Sequence, residues 1–413
     1  MKTKRIAWLL GSALTLIYAL QAEDWPQWRG PERTGVAIGQ TPPEEWPNEL
    51  TEIWKVKVGE GHSSPVVVSG RVYQFARVDN DEVIYCLDAK TGKEVWQVRY
   101  EAPYEVNPAA QAHGKGPKAT PTVVNNRVYT QGINGTLSCV RASDGQLFWR
   151  KTFSDDFKET APLYGVASSP LVTQGLCIVQ AGGPDHGAII AYHAGTGEEK
   201  WRRETDGPSY ASSIYAEMTG ERQIITQTQN WLIGLRFSSG DVLWKHPFKT
   251  DYDQNIVTPV VHEERLIYSG FNHPLSAARI DLNAQGFHFR EEWTNRAHPL
   301  YMSSPVIRGN LLFGMSHRLS GHLFCVDITT GNTQWQTRGR FGENAAMVLL
   351  GDMLLIQSTE GKLTVARATG AKYEMLHEYT VSEQATWATP ALDGTQIYIK
   401  DRTQLMAYRL SPK

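Results

Sequence analysis

Residues 64–96 decide the fold. They open Ser64-Pro65-Val66-Val67-Val68 and close Val83-Ile84-Tyr85-Cys86-Leu87-Asp88-Ala89-Lys90-Thr91-Gly92-Lys93-Glu94-Val95-Trp96. The run after the proline, residues 71–76, residues 83–87 and the stretch around Trp96 are four short apolar, β-branched segments separated by turn residues. Gly92, four residues before the tryptophan, supplies the positive φ that a tight turn needs.

The unit recurs. Thr120-Pro121, Ser169-Pro170, Thr258-Pro259, Ser304-Pro305 and Thr389-Pro390 each precede a further apolar run. Ser212-Ser213-Ile214 and Ala345-Ala346-Met347 are degenerate copies, and successive anchors lie 42–56 residues apart. Gly145…Trp149, Gly197…Trp201, Gly240…Trp244 and Gly331…Trp335 repeat the second signature. Unit five stretches it to Gly286…Trp293, and unit seven keeps Gly370 without a tryptophan. The last unit stops short of its tryptophan strand, and residues 52–58, with Trp54, supply the missing one. This pattern predicts an all-β, eight-bladed propeller of four-stranded antiparallel blades over residues 50–413, its last blade closed by an N-terminal strand. Seven blades is the rival if the unit at Met347 is not one. Most of the 13 tryptophans then become packing between blades.

Composition narrows the function classes. Lys+Arg 41 against Asp+Glu 43 gives net charge −2, with 41% hydrophobic and 20% charged residues. That excludes disorder, a multispan membrane protein and nucleic-acid binding driven by net charge. Residues 1–22 are a basic start, an apolar run and a terminal Ala22, which predicts a signal peptide cleaved after Ala22 and a secreted or periplasmic chain with no remaining transmembrane span. No cysteine follows the apolar run, so no lipobox is expected. Residues 23–49, with Trp25, Trp28, Arg29 and Arg33, read as a leader strapped onto the ring. Cys86, Cys139, Cys177 and Cys325 sit in apolar runs without metal or redox spacing and read as buried thiols, with one bridge open in an oxidising compartment.

In a four-stranded blade the linkers between units and the loops joining second and third strands emerge on one face. The residues just ahead of the anchors, His62, Lys118, Tyr210, Asn255, Tyr301, Glu343 and Trp387, are expected to ring a funnel there, with His186 and His317 from the loops. Such a mixed ring suits a protein or polysaccharide ligand. No GxSxG, HExxH or Walker A pattern is present, no catalytic residue emerges, and no metal site is expected.

The alternation of Ser/Thr-Pro with Leu87-Asp88-Ala89-Lys90-Thr91-Gly92-Lys93…Trp96 resembles the PQQ-like β-propeller repeat and its Trp-docking motif, over about residues 50–413. The nearest groups are the quinoprotein alcohol dehydrogenases and the BamB-like outer-membrane assembly proteins. The resemblance implies either a non-catalytic scaffold without cofactor, with envelope assembly as one form of it, or a PQQ- and calcium-dependent oxidoreductase of alcohols or sugars. The dehydrogenases hold PQQ against a vicinal disulfide, bind calcium through carboxylate and amide oxygens, and use an aspartate base. No adjacent cysteine pair exists in this chain, and no lipobox cysteine tethers it as in the BamB group.

Overall fold

A computed structural model describes residues 24–412; the expected signal peptide, 1–22, lies outside the described residues. Among the described residues the strands form eight four-stranded antiparallel sheets, an eight-bladed β-propeller. Blade 1 is Val66–Val68, Arg71–Val78, Asp81–Asp88 and Glu94–Glu101. Blade 8 takes three strands from the C-terminal end, Ala391–Asp393, Gln396–Lys400 and Gln404–Arg409, and its outer strand, Thr51–Lys57, from the N-terminal side. The unit at Met347 is a full blade, with six-residue strands at Ala345–Leu350, Met353–Ser358, Lys362–Arg367 and Met375–Thr380. That removes the seven-blade alternative. No helix of the described residues is long and apolar enough to cross a membrane.

The tryptophan clock has a register. Each docking Trp pairs across the outer ladder with a small residue: Trp96 with Cys86, Trp149 with Cys139, Trp201 with Ala191, Trp335 with Cys325, Trp54 with Ala407. A bulge follows next to each of these pairs. It twists the outer strand and turns the indole toward the next blade. There the indole Nε1 donates to a backbone carbonyl: Trp54 to Ala89, Trp96 to Ala142, Trp149 to Ala194, Trp201 to Phe237, at 2.9–3.1 Å. Blade 4 departs from this. The stretched turn of blade 5 offers no landing, so Trp244 lies over Gly234 of its own blade and donates to Gln223 at 2.7 Å. A Cβ on Gly234 would stand 2.2 Å from that indole. Cys86, Cys139 and Cys325 are therefore small residues under an indole. All four cysteines are free and buried, and burial pushes the thiols of Cys86, Cys139 and Cys325 up to about 11 or 12.

The anchors tie the inner ends of the blades together. The backbone N–H of Ser64 donates to the Thr120 hydroxyl, Thr120 to Ser169, Ser169 to Ser212, Ser212 to Thr258, and Thr389 back to Ser64, at 2.9–3.1 Å. A hydroxyl at this position satisfies a donor that no ladder reaches. The degenerate copy at Ser212 keeps the hydroxyl and loses only the proline.

The leader crosses one end of the central opening. Trp25, fully buried, exchanges backbone hydrogen bonds with Val67 of blade 1 at 2.7 and 2.9 Å; Pro26 accepts from Val123 of blade 2, and Gly35 and Ala37 bond Leu349 of blade 7. Between these ends two arginines reach inward. Arg29 donates to the carbonyls of Thr34 and Pro305, and Arg33 to those of Ser169, Pro170 and Ser213. Gly35 is required at φ +78°, since a Cβ there would meet the Arg29 guanidinium and Val306 at 2.9 Å.

Candidate functional site

On the linker face the ring opens into a funnel of about 300 Å³ whose floor is Trp28 and Arg29 of the leader. Its lining follows the alternation of an extended chain. Counting two residues back from each anchor hydroxyl gives His62, Lys118, Ala167, Tyr210, Ile256, Met302 and Trp387, and all seven line the funnel. Residues two apart in extended backbone share a side, so the anchor and this residue both face the axis.

The linkers carrying these residues are tied to each other. His62 and Ser63 donate their backbone N–H groups to the Pro117 carbonyl at 2.9 and 3.0 Å, and Tyr210 and Ala211 donate theirs to Asn255 at 3.0 and 3.2 Å. Lys118 Nζ donates to the Tyr164 carbonyl at 2.6 Å, and the Tyr164 N–H donates to the Tyr210 hydroxyl oxygen at 3.2 Å. Tyr164 and Tyr210 form one aromatic wall, ring centroids 5.7 Å apart. His62, His113 and Trp387 form another, with His113 and Trp387 edge to face at 4.9 Å. His113 ends a short 3-10 turn, Pro108–His113, which Asn107 caps through Ala109 N–H.

The electrostatics are one-sided. His62 Nε2 donates to the His113 carbonyl at 3.1 Å, and burial, with His113, Lys118 and Lys400 nearby, pushes its pKa down to about 3. Burial lowers Lys118 to about 8 and Arg29 to about 9, so both are cationic at neutral pH. Among the described residues, none lining the funnel is Asp or Glu.

Five of the nine expected site residues, His62, Lys118, Tyr210, Tyr301 and Trp387, come together here. Asn255 lies elsewhere. It is three residues before Thr258, faces the blade interior, and spends its amide on the carbonyls of Thr228, Gln229 and Phe248 and the N–H of Thr250. Glu343 is exposed at the rim in a shallow pocket with Tyr301, His317 and Phe271, while its neighbour Asn344 lines the funnel. His186 stands on the outer part of blade 3, exposed, 3.8 Å from Glu204 and edge-on to Phe157. From sequence, the leader with Trp28 and Arg29 reads as a plug or strap on the ring, and the two do not count among the site residues; the structure makes them the funnel floor.

Eight blades with Trp docking and a funnel on the axis define a PQQ-like propeller. The family described as outer membrane protein assembly factor BamB matches residues 46–112 and 80–337, and the chain belongs to that family. BamB from Burkholderia pseudomallei strain K96243 is 27% identical over 205 residues, 48% of this chain and 46% of that protein. The quinohemoprotein alcohol dehydrogenase ADH-IIG of Pseudomonas putida is 28% identical over 153 residues, 36% of this chain and 20% of that protein. The chain thus spans less than half the length of these curated relatives. In structure it is similar to BamB of Moraxella catarrhalis, with TM-score 0.62, 13% identity, and coverage of 87% of this chain and 97% of that one. It is also similar to ADHIIG of Pseudomonas putida HK5, with TM-score 0.64, 14% identity, and coverage of 94% and 80%.

Proposed function

We propose that this chain is a non-catalytic binding propeller of the cell envelope that docks a protein partner on its linker face. The observation that carries the reading is the funnel lining: cations, hydroxyls and aromatic rings, with no carboxylate among the described residues. Oxidation of an alcohol needs a base for the hydroxyl proton, and a calcium-held quinone needs anionic oxygen ligands. The described residues do not fit that pair. Among them, no three His, Cys, Asp or Glu are grouped to hold a metal, and the four cysteines are buried singly in strands.

The rim supports a protein partner. Tyr252 and Leu319 are each 73% exposed and held at φ +62° and +54°. Large side chains in the left-handed region store strain that persists at binding surfaces. The membership in an outer-membrane assembly family points the same way. The test places a photo-crosslinking amino acid at position 252 or 319 in the intact cell, with position 242, an exposed valine that opens the outer strand Val242–Pro247, as control. A discrete envelope-protein adduct at 252 and 319, absent at 242, is expected; equal labelling at all three positions contradicts the reading.

A further inference from the structure

The funnel floor carries charge that the protein leaves uncompensated. Arg29 is 2% exposed, and its Nη2 serves Thr34 and Pro305 while its Nη1 has no hydrogen-bond partner. Neither Arg29 nor Lys118 forms a salt bridge among the described residues, and the charged groups acting on His62, namely Lys118, Lys400 and His113, are all bases. Carbonyl dipoles solvate a buried guanidinium but do not neutralise it.

The anchor ring adds donors. Ser64, Thr120, Ser212 and Thr258 each accept a neighbouring backbone N–H through the hydroxyl oxygen, and all four line the funnel. With the oxygen so occupied, each hydroxyl retains its own O–H to donate. The ring of O–H donors, a guanidinium with one unused nitrogen and an ammonium share a lining that holds no Asp or Glu among the described residues, which makes a site for negative charge. At about 300 Å³ the space holds a small metabolite and is floored by the leader.

We propose that the funnel binds a small organic oxyanion, a carboxylate or phosphate held by Arg29, Lys118 and the hydroxyls of the anchor ring, without a divalent cation. This deepens the reading of the chain as a binding propeller and rests on it. A ring-bearing anion gains further contact between the Tyr164–Tyr210 and His113–Trp387 walls.

Calorimetric titration of the purified protein with inorganic phosphate, citrate and 4-hydroxybenzoate, in EDTA and at matched ionic strength, tests this. Saturable binding of one of them is expected. Lys118→Met should weaken it about tenfold or more, the loss of one charge-assisted hydrogen bond, while Lys118→Arg retains it. Melting curves of the unliganded variants report folding, and Ser212→Ala gives a second, smaller loss if Lys118→Met does not fold. No saturation by any of the three anions, affinity unchanged in Lys118→Met and Ser212→Ala, or a strict need for calcium overturns the proposal. Capture by a protein partner at the rim with no anion binding removes this inference alone. Alcohol oxidation with PQQ removes the non-catalytic reading whatever the anions do.

Discussion

At the scale of the residue, the docking tryptophans carry the fold. Trp201 is 8% exposed, pairs with Ala191 and donates to Phe237 in the next blade. Trp201→Ala is expected to destabilise by about 3–5 kcal/mol through the cavity it leaves, read from denaturant unfolding, with anion affinity unchanged in the folded protein. Gly234→Val should lower stability by about 1–3 kcal/mol, because the side chain must displace the Trp244 indole. The same change at Gly220, where an added Cβ meets nothing within 4 Å, controls for the loss of glycine, although φ +72° strains that site as well. Unequal losses, larger at Gly234, are the expected result. The buried histidines set the acid limit. Burial lowers His62 to about 3 and His298 to about 4, the latter bonded to His322 at 3.0 Å and to Thr333 at 2.8 Å. A lowered folded pKa means the folded state keeps these rings neutral while the unfolded chain takes up protons from about pH 6.5 downward. Stability is therefore full above that pH and falls by on the order of 2–3 kcal/mol for each as pH drops toward 4. Urea midpoints measured across this range should fall on the acid side, and His298→Asn should flatten the slope.

At the scale of the element, the anchors and the leader show what a sequence reveals. The Ser/Thr-Pro anchors and the Gly-to-Trp spacing made most blades legible, because each blade must solve the same packing problem, while the unit at Met347, which keeps neither, was read from its spacing alone and left seven blades as the rival. The funnel was legible only in part. Tyr210 and Trp387 stand two residues before their anchors and fall on the axial side, whereas Asn255 stands three before Thr258, and one step along extended chain turns a side chain to the other side. At Glu343 the degenerate blade has no anchor hydroxyl to count from, and Asn344 takes the axial place. Arg29 was hidden for a different reason: its role depends on where the leader docks, and no periodicity records that. The leader makes its own prediction. Arg33→Met leaves the carbonyls of Ser169, Pro170 and Ser213 without their donor, so stability should fall by about 1–3 kcal/mol. Limited proteolysis should then cut between residues 24 and 40 earlier than in the parent protein. Cleavage at an unchanged rate would show that Trp25 and the blade 7 bonds hold the leader alone.

At the scale of the whole molecule, closure is the main device. Pairing of Thr51–Lys57 with Gln404–Arg409 leaves the ring without an open blade. The rigid ring then fixes eight linkers around one axis, and the leader seals one end of it. The molecule holds a positively charged, aromatic-walled funnel under a rim that mixes exposed Tyr252 and Leu319 with Glu343. PQQ-like propellers carry either dehydrogenase chemistry or scaffolding on this frame, and the side chains on the axis decide between them. The most direct measurement is dye-linked turnover of alcohols and sugars by the purified protein supplied with PQQ and calcium. A funnel without an axial carboxylate predicts no turnover above a protein-free control. Sustained, PQQ-dependent dye reduction that tracks enzyme concentration would contradict the account.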